Sequence, residues 1–247
     1  MANENLTWGE ERIAAELLLK LGIRVSPRTV RRYMPDDVGP RRYPSSQRWM
    51  TFVRNHAQAI LACDFFVTLT ASFRVLYFFV VMEVRARRIP HFNATTHPTA
   101  DWTLQQFREV ITEEKAHRFL IHDRDTIYSP ELGSALKAMG LSILKTPFRA
   151  PQANAFCERL VGTIRRECLD FLIPIHERHL RRILQEWVTH YNRGRPHASL
   201  GSGIPDPSGD IMAPRSSGHR TPCGHRAVGS SVLGGLHHEY RLEKIAA

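Results

Sequence analysis

Residues 118–170, RFLIHDRDTIYSPELGSALKAMGLSILKTPFRAPQANAFCERLVGTIRRECLD, decide the fold that this chain is expected to adopt. The stretch begins with an apolar run at 119–121, which predicts a short strand, and then breaks at Asp123 and Asp125. It ends in a helical pattern that carries Glu158. A strand-end carboxylate that faces a carboxylate from a helix gathers the hard oxygen ligands that Mg²⁺ prefers.

A third acid, Asp64, lies inside the apolar run LACDFFVTLT of residues 61–70. This run predicts a buried strand because it is rich in β-branched and aromatic residues. A carboxylate in such a strand is costly unless it is paired or bound to a metal ion. Asp64 is therefore predicted to be a metal ligand, with pairing to an arginine as the alternative.

Asp64, Asp123 in HDRD and Glu158 in PQANAFCER resemble the three acids of the DDE integrase core. Bacterial insertion-sequence transposases and retroviral integrases share this core. Between Asp123 and Glu158 lie 34 residues, close to the separation in that family. The phrase HYNRGRPHASL at 190–200 is similar to the segment that follows the third acid in insertion-sequence transposases. The resemblance spans residues 61–200.

The order of the predicted elements agrees with the ribonuclease-H-like fold that this resemblance implies. Strands are predicted at 59–70, 74–84, 88–93, 119–121 and 142–145, and helices at 101–112, 130–139, 152–171 and 179–191. We expect an α/β fold in which helices flank a mixed five-stranded sheet. A small helical segment that resembles a helix-turn-helix is expected to precede it.

Two of the three acids have a competitor nearby in the sequence. Asp125 competes with Asp123, but Asp123 follows the strand directly, and many members of the family carry glycine where Asp125 stands. Asp125 is interpreted as a turn residue or as a group that supports a metal ligand. Glu167 competes with Glu158, but it lies more than two helical turns further on and outside the PQANAFCER phrase.

The resemblance implies phosphodiester cleavage followed by transfer of the freed 3′ hydroxyl to a new strand. Two ions, Mg²⁺ or Mn²⁺, about 4 Å apart, stabilise the attacking and leaving oxygens in such a reaction. Asp64 is expected to bridge the two ions, with Asp123 on one and Glu158 on the other. The three acids are therefore both the predicted catalytic residues and the predicted metal ligands.

The formal net charge of +10 favours a polyanionic partner such as DNA. Basic residues near the predicted site are candidates to bind the DNA backbone: Lys145, Arg149, Arg159 and Arg165. Further upstream, residues 7–34 predict two short helices joined by a tight turn, which resembles half of a helix-turn-helix. The second of these helices carries Arg28, Arg31 and Arg32. A helical hairpin with a solvated charged face is the alternative.

The composition divides the chain into four parts. Residues 1–35 are the helix-turn-helix-like DNA-binding segment, interpreted as partial because transposases of this type often carry more such sequence upstream. Residues 36–57 are rich in Pro, Ser and Arg and predict a basic linker. Residues 58–200 form the catalytic core. Residues 201–247 are a Gly-, Pro- and His-rich tail, in which a Gly-Gly pair predicts a small hairpin.

These observations predict a DNA transposase or integrase of the bacterial insertion-sequence type, which acts on element ends and target DNA. The alternatives are a DNA-binding remnant that does not cut and, against the HYNRGRPHASL phrase, a general ribonuclease-H-like nuclease. Strand transfer joins two ends, so the resemblance implies a homodimer or a higher oligomer on DNA. The sequence shows no membrane span, no signal peptide and no disulfide framework, so a bacterial cytoplasmic, nucleoid-associated protein is expected.

Overall fold

The chain divides into two compact units, Met1–Asn55 and His56–Ala247. The computed structural model describes residues 10–34, 45–111, 117–123, 125–145, 154–201, 203–207 and 223–245. Within these residues, no helix is both long and apolar enough to cross a bilayer.

The first unit contains two short helices, α1 (Glu10–Leu21) and α2 (Pro27–Tyr33). Gly22, with a φ of 67°, ends α1 in the left-handed conformation that glycine adopts without a Cβ clash. The Ser26 hydroxyl caps α2 by accepting the Thr29 N–H at 3.1 Å. A small apolar core holds the two helices together: Ile13, Ala14, Val30 and Met34. The helices lie where they were predicted, and a helix-turn-helix function for them stays a prediction.

A third helix, α3 (Ser45–His56), occupies much of the segment for which composition predicted a linker. Residues 45–56 of the predicted linker are therefore helical, and a linker role for residues 36–57 stays a prediction. Trp49, Phe52 and Val53 recur at helical spacing in this stretch, and the Trp49 and Phe52 rings stack with centroids 6.3 Å apart. An apolar stripe of this kind favours a helix even though the segment as a whole is polar in composition.

The second unit is built on a five-stranded sheet with the strand order β3-β2-β1-β4-β5. The strands are β1 (Ile60–Leu69), β2 (Val75–Glu83), β3 (His91–Thr95), β4 (Phe119–His122) and β5 (Ser142–Lys145). The first three strands form an antiparallel meander, whereas β4 and β5 run parallel to β1. This is the mixed sheet that the sequence predicted. The third strand begins three residues later than expected.

Helices cover both faces of this sheet. They are α4 (Ala100–Val110), α5 (Pro130–Ala138), α6 (Ala155–Ile164) and α7 (Glu177–Arg193). On the face of α4 and α5, Phe79 packs edge-to-face against Phe107 with ring centroids 5.4 Å apart. Leu61 and Cys63, two residues apart on β1, belong to the same core because alternate strand residues share a face. Asp64 consequently points to the opposite face, on which α6 contacts β1.

The long helix predicted at 152–171 consists of an α-helix followed by a π-helical turn. Regular α-helix ends at Ile164, and residues Arg165–Leu169 form a π-helical turn, in which the Asp170 N–H bonds to the Arg165 carbonyl at 2.9 Å. Such widened turns occur often beside functional sites. Here the turn places Cys168 in the core, fully buried.

The tail forms a longer hairpin than predicted, with strands β6 (His225–Val232) and β7 (His237–Lys244). Gly234 and Gly235 make the turn with φ values of 66° and 99°. The hairpin is bonded to α7 through His190 and Glu239, whose ring nitrogen and carboxylate oxygen are 2.7 Å apart. The hairpin therefore packs against α7.

Candidate active site

Parallel pairing between β1 and β4 brings two of the predicted acids to the same level of the sheet. Ala62 on β1 lies opposite Ile121 on β4. Continuing this register by two residues places Asp64 level with Asp123, just beyond the end of β4. Neighbouring strands are about 4.8 Å apart, so the two residues are neighbours across the sheet.

The turn after β4 is organised by carboxylates that bond to the backbone. Asp123 Oδ1 accepts the Asp125 N–H at 3.0 Å, and Asp125 Oδ1 accepts the Ile127 N–H at 3.1 Å. Asp125 is exposed, whereas Asp123 is half-buried. The geometry matches the interpretation of Asp125 as a turn residue, because a short acidic side chain that bonds two residues ahead stabilises a tight turn.

Helix α6 supplies the third acid, and its first residues are tied to β1. The Asn154 amide nitrogen donates to the Cys63 carbonyl at 3.3 Å. Asn154 is buried, and it precedes Glu158 by one helical turn, while Cys63 directly precedes Asp64. One hydrogen bond therefore links the strand of Asp64 to the helix of Glu158. Sequence reasoning did not single out Asn154, because its partner is 91 positions away.

The charges of the acids act on one another. The pKa of Asp64 is raised from its ordinary 3.8 to about 7, first by burial and then by the negative charge of Asp123. The Phe65 N–H, 2.9 Å from Asp64 Oδ1, partly offsets this rise, and Glu158 adds to it. The three carboxylates therefore lie within electrostatic range, as a cation-binding site requires.

The carboxylate oxygens of these acids suit a hard divalent ion, although the side chains are not arranged around a common point. Among the described residues, no three His, Cys, Asp or Glu side chains are placed to hold a metal ion together. Yet carboxylate oxygens are the ligands of Mg²⁺ and Mn²⁺, and a cation would remove the repulsion that raises the Asp64 pKa. Asp64, Asp123 and Glu158 are the residues that would hold such an ion.

Glu167, the competitor of Glu158, is engaged elsewhere. Its carboxylate accepts two hydrogen bonds from the Arg195 guanidinium, at 2.8 and 2.6 Å. The Glu158 carboxylate, by contrast, is exposed and forms no ion pair in the described part of the chain. Glu167 is therefore held in a structural contact, which favours Glu158 as the acid at the site.

Residues of the HYNRGRPHASL phrase connect the end of α7 to the π-helical turn that follows α6. Arg195 binds Glu167 in the π-helical turn, and the His197 ring packs edge-on against Tyr191 with centroids 4.6 Å apart. Burial raises the pKa of Tyr191 to about 12, so its hydroxyl stays neutral. The role of this phrase is therefore to hold the helix that carries Glu158, a contact across 28 positions that the sequence pattern does not reveal.

Replacing Arg195 by methionine is expected to lower the free energy of unfolding by about 2 kcal/mol, because the largely buried Glu167 carboxylate would lose both donors. Urea unfolding monitored by circular dichroism measures this change. The matched control is Arg226→Met, which removes a more exposed pair with Glu243 at 3.4 Å and should leave the free energy of unfolding almost unchanged. Equal losses in the two variants would contradict the fastening role of Arg195.

The predicted DNA-binding residues are placed as follows. Arg28, Arg31 and Arg32 are exposed on α2. Lys145 ends β5, opposite His122 of β4 and thus beside the acids, while Arg149 lies outside the described residues. On α6 and the turn after it, Arg159 and Arg165 are exposed, and the Arg165 guanidinium carbon lies 5.8 Å from the centre of the Phe66 ring.

Comparison with known proteins gives two independent results. The Integrase core domain family matches residues 139–205 of this chain, from the end of α5 to beyond α7. No curated protein sequence matches the chain.

Among solved structures, the catalytic domain of the Mos1 mariner transposase is similar with a TM-score of 0.50 and 12% identity, covering 58% of this chain and 78% of that one. The catalytic core of BIV integrase has a TM-score of 0.45 and 14% identity, covering 60% and 91%. A chain in the structure of the simian T-cell lymphotropic virus intasome in complex with PP2A regulatory subunit B56 gamma has a TM-score of 0.48 and 11% identity. This chain spans 66% of its length, with 74% of this chain covered.

The Mos1 likeness establishes a shared fold, which is the ribonuclease-H-like sheet with its flanking helices. The family match covers the helix of Glu158 and the phrase that fastens it. The family match over residues 139–205 and the shared fold agree with the resemblance to the catalytic cores of integrases and transposases.

Proposed function

We propose that this chain is a DNA transposase of the bacterial insertion-sequence type, which cleaves and joins DNA strands with the help of divalent metal ions. One observation carries the proposal: burial first, and then the negative charges of Asp123 at the end of β4 and Glu158 on α6, raise the pKa of Asp64 on β1. Acids that repel one another in a fold are a marker of a functional site.

The three acids have distinct tasks in this proposal. Asp64, half-buried on the central strand, would hold both ions, with Asp123 and Glu158 each holding one. When bound, the two ions supply charge stabilisation of the attacking and leaving oxygens. Structures of the Mos1 catalytic domain contain Mg²⁺ or Mn²⁺, which supports this choice of metal.

The protein groups around the acids set their geometry. The Asn154–Cys63 hydrogen bond holds Asp64 and Glu158 in register, and the Arg195–Glu167 pair keeps α6 in place. Exposed arginines at 159 and 165 would bind the DNA backbone beside the cleaved bond. Joining needs two DNA ends, so we propose that the active form is a homodimer or a higher oligomer on DNA.

The test is nicking and end-joining of labelled DNA that carries the termini of the element, with Mg²⁺ or with EDTA. We expect products only with Mg²⁺, and about a thousandfold less product in Glu158→Gln, because a lost ligand removes several kcal/mol of transition-state stabilisation. Glu131→Gln is the matched control, since Glu131 is exposed in the first turn of α5 and should keep full activity.

Three other outcomes would reject the proposal in different ways. DNA binding without any product in the wild type would favour the inactive DNA-binding remnant. Cleavage of RNA–DNA hybrids without strand transfer would favour a general nuclease. Equal activity of Glu158→Gln and wild type would show that Glu158 is not the third acid.

A further inference from the structure

Arg87 has an unusual backbone and an unusual side-chain contact. It lies in the turn between β2 and β3 with a φ of 59°, a left-handed conformation that residues with a Cβ rarely adopt. Its guanidinium carbon lies 4.3 Å from the centre of the Phe156 ring on α6. Strained backbone of this kind is concentrated at functional sites, where the surrounding structure holds it in place.

Among the described residues, Arg87 lacks a carboxylate partner of the kind that Arg88 and Arg195 possess. Arg88, the next residue, forms two hydrogen bonds with Glu83 at 2.9 and 2.6 Å, and Arg195 is paired with Glu167. In the part of the chain that the structure describes, Arg87 makes no salt bridge, although it is half-buried. Its charge is therefore not neutralised by those residues.

On α6, Arg159 carries a second positive charge that acts on Arg87. Burial lowers the pKa of Arg87, and the positive charge of Arg159 lowers it further, while Tyr191 acts in the opposite direction. Arg159 is itself exposed and forms no ion pair among the described residues. Two like charges held together are unfavourable unless an anion lies between or beside them.

Helix α6 fixes where this pair of cations lies relative to the acids. At about 100° per residue, Phe156 and Glu158 fall on opposite flanks of the helix, with Arg159 on the solvent side between them. A helix with its side chains is about 10–12 Å across, and successive nucleotides of one strand are about 3.4 Å apart. On a DNA strand that crosses α6, roughly three nucleotides would therefore lie between the phosphate at Arg87 and the position that faces Glu158.

We propose that Arg87, supported by the Phe156 ring and acting with Arg159, forms a phosphate-binding site that holds the DNA backbone across α6. This inference rests on the proposed function and adds a contact from the β2–β3 turn to it. A planar guanidinium that is fixed on an aromatic ring loses little freedom when it binds a phosphate with two hydrogen bonds. The stacking contact therefore orients the cation before DNA arrives.

The experiment measures binding of a fluorescent 30-base-pair duplex to the full chain in EDTA, by anisotropy, between 50 and 200 mM KCl. Arg87→Gln is expected to weaken binding about fivefold at 100 mM KCl and to reduce the slope of log K against log salt by about one, the value for one lost phosphate contact. The matched control is Arg108→Gln, an exposed arginine on α4, which should leave both quantities unchanged.

Two further variants separate charge from folding. Arg87→Lys keeps the charge and should preserve the salt slope while weakening binding about twofold. Phe156→Leu keeps both cations but removes the ring, and it should weaken binding about threefold with an unchanged slope. If Arg87→Gln fails to fold, as judged by its circular dichroism spectrum, an unchanged affinity in Phe156→Leu would overturn the inference.

The outcomes also separate this inference from the proposed function. A wild-type chain that binds and cleaves DNA, with an Arg87→Gln variant equal to the Arg108→Gln control, would reject the role of Arg87 alone. A wild-type chain that neither binds the duplex nor cleaves element ends would reject the proposed function, and the inference with it.

Discussion

Replacing Asp64 by asparagine is expected to reduce metal-dependent DNA cleavage by about a thousandfold or more. The amide keeps the size of the side chain but removes the negative charge, and a loss of about 4 kcal/mol of transition-state stabilisation corresponds to this factor. Asp64 should be the most sensitive of the three acids because it lies on the central strand and senses the charges of both others. The rate of nicking under single-turnover conditions measures the loss.

Asp125→Asn is the matched control for this experiment. Asp125 lies close enough to affect the Asp64 pKa, yet its own carboxylate is exposed and bonds to the backbone of the turn. Asparagine retains a side-chain oxygen that accepts the Ile127 N–H, so activity should fall less than about fivefold. An inactive Asp125→Asn protein beside an active Asp123→Asn protein would show that Asp125 is the ligand.

The same Asp64→Asn substitution is expected to stabilise the metal-free protein at pH 8 by about 2–4 kcal/mol. Folding raises the pKa of this carboxyl from 3.8 to about 7, so the ionised form opposes folding. The cost is absent below pH 3.8, grows as the pH rises towards 7, and is fully present above it. Three pKa units at 1.36 kcal/mol each set the upper limit of about 4 kcal/mol.

Urea unfolding of both proteins in EDTA at pH 8 and at pH 5 checks this prediction. The advantage of the variant should shrink to about 1–2 kcal/mol at pH 5, where the wild-type carboxyl is protonated in the folded state. Mg²⁺ at millimolar concentration should stabilise the wild type and leave the variant unchanged, because a ligand stabilises only the state that binds it. A variant no more stable than wild type at pH 8 would disprove the electrostatic strain at Asp64.

The elements that carry the predicted acids could be predicted because the information that specifies them is local. The acid in LACDFFVTLT stands out against an apolar strand, and HDRD follows a strand pattern directly. Most ends of β1, β2 and α5 lie within one or two residues of their predicted positions. Hydrophobic periodicity and capping residues specify these ends. Residue type and hydrophobic periodicity can both be read directly from a sequence.

Other features depend on contacts between distant parts of the chain. The helix of Glu158 widens into a π-helical turn where Glu167 meets Arg195. The stacking of Arg87 on Phe156 spans 69 positions, and no motif marks either residue. Contacts of this kind follow from how the helices pack on the sheet, which a single sequence does not display.

The sequence by itself predicted which residues would carry the proposed chemistry: three carboxylates on two strands and a helix, in a basic chain with the pattern of an integrase core. The tertiary structure decided how those residues act on one another. The parallel register of β1 and β4 and the bond from Asn154 to Cys63 bring the charges close enough to raise the Asp64 pKa. The physical reason is that electrostatic coupling depends on distance in space, whereas the sequence records only order along the chain.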